Sequence, residues 1–100
     1  MRVMFRTRQL EKCYTTYKHA CRTWGDVVGR KYIQRINVIR MARGMDELYL
    51  IGELRCHPLK GDRKGEYAVS LTGFYRLIFT LQGDRLEVVM VEEVSKHYDD

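Results

Sequence analysis

The spacing of the apolar residues changes near the middle of this 100-residue chain, and the change limits the folds open to it. Between residues 10 and 39 apolar side chains recur in steps of three and four, the pattern of amphipathic helices. From residue 67 onwards they form three short runs separated by glycine-containing turns, which is typical of antiparallel strands. The chain is therefore predicted to be an α+β domain with helices packed on one face of a small, mainly antiparallel sheet.

The predicted order of elements is β-α-α-β-β-β, in one domain over residues 1–100. A first strand is expected at residues 3–6, a first helix from Arg8 to its end at Gly25, and a second helix from an N-cap at Asp26 to Gly44. The next stretch, at residues 45–52, fits either a helical turn or an extended connector. A surface loop is expected at residues 57–65, and three strands are expected at residues 67–71, 74–81 and 85–94.

Composition excludes several classes of protein. Hydrophobic residues make up 45% of the chain and charged residues 31%, and no apolar run approaches the roughly 18 residues that a membrane helix needs. The N-terminus lacks the features of a secretory signal, so a cytoplasmic location is expected. Cys13, Cys21 and Cys56 are odd in number and form no C-x-x-C pair, which argues against disulfides and a zinc site.

Basic residues are concentrated in the first two thirds of the chain. The net charge is +5, and residues 1–65 hold 15 of the 18 basic residues but six of the 13 acidic ones. Such a distribution favours a polyanion or an acidic protein as partner, although solvated helices also carry many cations.

The predicted loop at residues 57–65 collects imidazole and ammonium groups suited to RNA chemistry. Cleaving a phosphodiester without a metal requires a proton shuttle and fixed positive charge. His57 can exchange a proton near neutral pH, and Lys60 can neutralise a phosphate oxygen. Arg63 and Lys64 are better suited to following the RNA backbone. Each of these residues would also be unremarkable as a solvated loop side chain.

Arg76 lies inside the apolar run of residues 74–79, where an unpaired guanidinium is costly. Two interpretations remain open: Arg76 clamps a phosphate beside His57, or it pairs with one of the acidic residues Glu66, Glu92 and Glu93. At the end of the chain, His97 and Tyr98 are candidates for a second proton-transfer group, and Tyr98 could instead stack on a base.

These motifs resemble those of the RelE/ParE superfamily of bacterial toxins, and specifically the HigB-like plasmid maintenance killer proteins. The resemblance spans nearly the whole chain and is carried by HPLKGDRKGEYAVSL at residues 57–71, YRLIF at 75–79 and VEEVSKHYDD at 91–100. It implies a RelE-like α+β fold and a toxin that enters the ribosomal A site and cuts messenger RNA through the substrate 2′-hydroxyl, with no metal or other cofactor.

Carried onto this chain, the resemblance implies that His57 and Lys60 lie in the active-site loop and that Arg76 clamps the phosphate. It also implies a cognate helix-turn-helix antitoxin of the HigA-like type, through which alone the toxin would reach operator DNA. The end of the chain departs from the acidic-aromatic-histidine cluster of many HigB-like toxins, so His97 and Tyr98 are less securely transferred. The superfamily also contains DNA gyrase inhibitors without nuclease residues, and a binding-only toxin of the ParE kind is the alternative. A third possibility is a solitary nucleic-acid-binding domain without activity.

Overall fold

Helices dominate the first half of the chain and strands the second, as the change of spacing predicts. A computed structural model describes residues 1–96. The helices are α1 (Arg8–Thr15), α2 (Tyr17–Trp24), α3 (Asp26–Met41) and α4 (Met45–Leu50), and the strands are β1 (Arg2–Phe5), β2 (His57–Pro58), β3 (Glu66–Ser70), β4 (Tyr75–Gln82) and β5 (Val88–Lys96). Two 3-10 turns cover Gly52–Leu54 and Gly61–Arg63.

The region predicted as one N-terminal helix is two helices, so that prediction is wrong. Thr16 has φ −130° and ψ 105°, an extended conformation that ends α1 and precedes α2. Two adjacent β-branched residues, Thr15 and Thr16, stand at the break, and threonine favours helices weakly. The apolar stripe continues through the break, which is why spacing alone did not reveal it. The predicted end at Gly25 is confirmed, since its φ of +88° suits glycine.

Helix α3 is the central helix of the core. Tyr32, Ile36 and Ile39 are fully buried along one side of it. Near its start, a Cβ added at Gly29 would lie 3.2 Å from Ala20, so α2 and α3 approach closely at this glycine. Asp26 is the first residue of α3 and not its N-cap. The helix ends at Met41, three residues before the predicted end.

The strands form one five-stranded sheet in the order β1-β5-β4-β3-β2. The three long C-terminal strands are antiparallel neighbours, as predicted, and β1 lies at the edge parallel to β5. The helices pack on the face that carries Val69, Leu77, Phe79 and Val89. Because side chains alternate along a strand, the residues between these point to the opposite face.

Two other segments are settled by the structure. The stretch after α3 that fitted either a turn or a connector is helix α4 followed by a 3-10 turn. The loop predicted at residues 57–65 is not wholly irregular, because His57 and Pro58 form β2 and pair with Ala68 and Tyr67 of β3. No helix within residues 1–96 is long and apolar enough to cross a membrane.

Candidate active site

Strand pairing brings His57 and Arg76 to the same face of the sheet. His57 lies opposite Ala68 on β3, and Arg76 lies opposite Ser70 on the same strand. Ala68 and Ser70 are two residues apart, so their side chains point to one face. That face is the one turned away from the helices.

These strands enclose a small cavity at the end of the sheet, which we call the His57–Arg76 cavity. Its volume is about 60 Å³. Its walls come from the turn before β2, from strands β2 and β3, and from the β3–β4 turn with the start of β4. The lining residues are Arg55, His57, Ala68, Ser70, Thr72, Gly73, Tyr75 and Arg76. Among residues 1–96, the lining of this cavity therefore includes two arginines and one histidine and no acidic residue.

The guanidinium of Arg76 has no ion-pair partner among residues 1–96. Its Nε is buried and makes no hydrogen bond within the described part of the chain. The three carboxylates considered as partners are engaged elsewhere: Arg63 contacts Glu66 and Glu93 at 2.6 Å each, and Arg6 contacts Glu92 at 2.9 Å. A buried donor without a partner costs about 1–3 kcal/mol, and an anion in the cavity would remove that penalty.

The imidazole of His57 is oriented by the backbone. Its Nδ1 lies 2.7 Å from the carbonyl oxygen of Arg55. Because a carbonyl only accepts hydrogen bonds, this contact places the proton on Nδ1. In the neutral imidazole Nε2 is then the unprotonated nitrogen, which can take a proton from a substrate hydroxyl.

Arg55 is a site residue that the sequence analysis missed. It ends the 3-10 turn Gly52–Leu54 in the left-handed conformation, with φ +48° and ψ +41°. This conformation is uncommon for residues other than glycine. Arg55 supplies both the carbonyl that holds His57 and a second cation in the cavity wall. The only signal in the sequence is a cation two residues before the histidine.

Lys60 does not line the His57–Arg76 cavity. It lines a separate, open groove of about 460 Å³ together with Pro58, Leu59, Gly61, Lys64, Gly65 and Tyr67. Its predicted contact with the scissile phosphate therefore stays a prediction. The RNA-binding role of the exposed Lys64 is likewise untested.

Arg63 differs from its neighbour Lys64 because its charge is already matched. The Arg63 guanidinium donates to Glu66 Oε1 and to Glu93 Oε2, both at 2.6 Å. These bonds raise the pKa of Arg63. The predicted RNA contact of Arg63 would have to compete with two carboxylates.

The C-terminal candidates His97 and Tyr98 lie outside the described residues. Lys96, the last described residue, pairs in register with Tyr75 of the cavity wall, and its Nζ lies 5.7 Å from the centre of the Tyr75 ring. Lys96 therefore adds a positive charge near the cavity, and it was not among the site residues predicted from the sequence.

The cysteines show no sign of a nucleophilic role. All three are free thiols. Burial raises the pKa of Cys56, the residue before His57, to about 11, so this thiol is neutral at physiological pH. Within residues 1–96 no group of three or more histidine, cysteine, aspartate or glutamate side chains could hold a metal ion.

Comparison with solved structures shows what this fold is similar to. A YoeB/ParE toxin from Agrobacterium tumefaciens aligns with a TM-score of 0.63 and 19% identity, over 98% of this chain and 100% of that one. The YoeB-YefM complex from Staphylococcus aureus gives 0.61 and 17%, over 98% of both chains. The E. coli DinJ-YafQ toxin-antitoxin complex gives 0.58 and 17%, over 95% and 90%.

These likenesses confirm the RelE-like α+β fold. None of the three structures is described as a HigB protein, so the HigB-like subtype stays a prediction. No protein-family model matches the sequence, and no curated protein sequence matches it either.

Proposed function

We propose that this chain is the toxin of a type II toxin-antitoxin system and acts as a ribosome-dependent endoribonuclease on translated messenger RNA. The observation that carries the proposal is the His57–Arg76 cavity, where an oriented imidazole faces the same pocket as a buried guanidinium Nε without a hydrogen-bond partner among residues 1–96. A proton acceptor beside unpaired positive charge is the combination that metal-independent RNA cleavage requires.

In the proposed reaction, Nε2 of His57 takes the proton from the 2′-hydroxyl of the substrate. The 2′-oxygen then attacks the adjacent phosphorus, and the bond from phosphorus to the 5′-oxygen breaks. The products are a 2′,3′-cyclic phosphate and an RNA end with a free 5′-hydroxyl. Arg76 and Arg55 stabilise the negative charge that builds up on the phosphate oxygens.

Other residues enter the proposal from the sequence analysis. His97 or Tyr98 would return a proton to the departing 5′-oxygen, Lys60 would contact the phosphate, and Lys64 would follow the RNA backbone. The HigB-like subtype, the ribosomal A site as the place of action and a HigA-like antitoxin rest on the family resemblance, and a toxin that acts on translating ribosomes would work in the cytoplasm. Solved relatives of the same fold are described in complex with YefM and with DinJ, which supports an antitoxin as partner.

The test is expression of the chain in a bacterium from a tightly repressed promoter, followed by mapping of messenger RNA 5′ ends. We expect wild type to create new ends at in-frame positions within translated regions, and His57→Ala to create none. His19→Ala is the matched control, because the His19 ring contacts Gln9 and lies outside the cavity. It should behave as wild type.

Two results would contradict the proposal. New ends that persist in His57→Ala would show that the active site is elsewhere. Growth arrest by wild type without new ends would instead favour a binding-only toxin of the ParE kind, and an increase in DNA damage signalling would then identify gyrase as the target.

A further inference from the structure

A buried arginine on α3 lies behind the His57–Arg76 cavity. Arg35 is the one charged residue that is buried among residues 1–96, with 8% of its surface exposed. Its Nε donates a hydrogen bond to the backbone carbonyl of Ser70 at 2.9 Å. Its Nη1 lies 3.9 Å from a carboxylate oxygen of Glu53. No role has been assigned to Arg35 by the reaction proposed above.

One partner of Arg35 lies in the cavity wall, and the other lies in the turn that leads into it. Ser70 ends β3, lines the cavity and lies opposite Arg76 in the sheet. Glu53 belongs to the 3-10 turn that leads into Arg55, whose carbonyl orients His57. Arg35 therefore contacts the Arg76 side and the His57 side at once.

The bond to Ser70 is the stronger of the two contacts. The side chain of Glu53 is 75% exposed, and ion pairs at such positions contribute little. The Ser70 carbonyl is tied to the rest of the wall, because the next two residues, Leu71 and Thr72, both donate backbone hydrogen bonds to the carbonyl of Tyr75. A shift at Ser70 would therefore move the β3–β4 turn and the start of β4, next to Arg76.

We propose that Arg35 is a positioning residue, which fixes the separation of the Arg76 guanidinium and the His57 imidazole through Ser70 and the Glu53 turn. The inference rests on the proposed function, because positioning matters only if these two groups act on one substrate. Burying a guanidinium is expensive, and an apolar side chain could fill a core position without that cost. The need to hold Arg76 and His57 at a fixed separation explains why a charged side chain occupies this core position.

The experiment compares Arg35→Lys and Arg35→Met with wild type, using the purified full chain. Arg30→Met is the matched control, since Arg30 lies on the same helix and pairs with Asp26 at the exposed surface. Three properties are measured: the melting temperature, the kcat and KM for messenger RNA cleavage on programmed ribosomes, and the NMR signals of Arg76 Nε–H and the His57 ring. The rates and spectra are recorded well below the lowest melting temperature.

We expect both Arg35 variants to lose kcat by about 10- to 100-fold, because small misplacements of reacting groups have effects of this size. KM should stay within about threefold, since the cations that hold the substrate remain. The Arg76 and His57 signals should move in both variants. Arg30→Met should leave kcat, KM and the signals at their wild-type values.

Arg35 is only a stability residue, and the inference is overturned, if the variants melt earlier but keep wild-type kcat and wild-type signals while folded. It is equally overturned if neither variant folds. If wild type cleaves no RNA, the proposed function fails, and the NMR signals alone decide the inference. Signals that move in both Arg35 variants but not in Arg30→Met support it, and unchanged signals refute it.

Discussion

Two regions of the open sheet face differ in how their positive charges are matched. In the first, which we call the paired region, Arg6 contacts Glu92 at 2.9 Å and Arg63 contacts Glu66 and Glu93 at 2.6 Å. In the second, the His57–Arg76 cavity, two arginines and a histidine line a pocket to which no carboxylate of the described part of the chain contributes. Arginines of the paired region already have anionic partners, whereas Arg76 of the cavity has no such partner within the described residues 1–96.

The sequence does not distinguish the two regions, because cations and acids occur along the same strands in both. Glu92 and Glu93 precede the cavity end of β5 by only a few residues. Strand register decides the outcome: Glu93 lies opposite Ile78, whereas Ser95, a small neutral residue, lies opposite Arg76. The bulge between Ile78 and Phe79 shifts this register by one residue, and without it Arg76 would lie opposite Val94.

The largest expected effect follows from removing the cavity cation. Arg76→Met should lower the rate of RNA cleavage by about 100- to 1,000-fold, as loss of one preorganised charge-stabilising donor typically does. The free energy of unfolding should not fall, because the variant removes a buried Nε without a partner within residues 1–96. Cleavage assays and denaturant unfolding measure the two quantities.

Arg76→Lys serves as the control for that prediction, since it keeps the charge but loses the planar donor fork. Its rate should lie between those of wild type and Arg76→Met. A rate for Arg76→Met within a few fold of wild type would show that the cavity cation is not used.

A smaller effect is expected from giving the cavity an internal acid, which would make it resemble the paired region. Ser70→Asp places a carboxylate opposite Arg76, within reach of its guanidinium. Cleavage should fall by about 10- to 100-fold, because the acid competes with the substrate phosphate for a charge-assisted bond. The melting temperature should rise above that of Ser70→Asn, the neutral variant of the same shape. Equal cleavage rates of Ser70→Asp and Ser70→Asn would contradict the idea that an acid in the cavity competes with the substrate phosphate.

In the paired region, loss of an arginine should lower stability and leave RNA cleavage nearly unchanged, the opposite of what is expected in the cavity. Arg63→Met should cost stability, at about 0.2–1 kcal/mol for each of the two ion pairs lost. Cleavage should stay within about threefold of wild type if the charge of Arg63 is used internally. Lys64→Met is the neighbouring control, and it should leave the unfolding free energy unchanged. A large loss of activity with no loss of stability in Arg63→Met would place Arg63 in the RNA interface.

Much of the fold could be predicted from the sequence because it depends on local patterns. Alternation and glycine turns predict the three C-terminal strands, and they place Arg76 within a strand. What joins His57 to Arg76 is the two-residue strand β2, which is too short to leave a periodic signal. The residues themselves left a shared phosphate site of His57 and Arg76 as one of two open interpretations, and the resemblance to HigB-like toxins favoured it.

Other features depend on tertiary geometry and left no usable pattern. The left-handed conformation of Arg55 follows from the end of a 3-10 turn, and nothing in the residue type suggests it. The loop after β2 has no periodicity, so the direction of Lys60 could not be predicted. Arg35 appears in the sequence as one of several cations on a helix, and only the packing of α3 against the end of β3 reveals its buried carbonyl contact.

The smallest expected effect concerns pH and separates the two regions by stability alone. Hydrogen bonding from Arg6, with a smaller contribution from Thr80, lowers the pKa of Glu92 in the folded chain. Ionised Glu92 therefore stabilises the fold at neutral pH, and this stabilisation is lost as the pH falls through the lowered pKa. The difference in melting temperature between wild type and Glu92→Gln should be present at pH 7, should begin to shrink near the ordinary glutamate pKa of about 4, and should close only below the lowered pKa of Glu92.

Arg76→Met provides the contrast, because within residues 1–96 no acidic side chain lines the cavity. Its difference in melting temperature from wild type should keep the same size across the acid range in which the difference for Glu92→Gln closes. A gap that closes in acid for Arg76→Met as it does for Glu92→Gln would mean that Arg76 finds a carboxylate in solution. The cavity would then belong to the paired region, and its cation would not be available to a substrate phosphate.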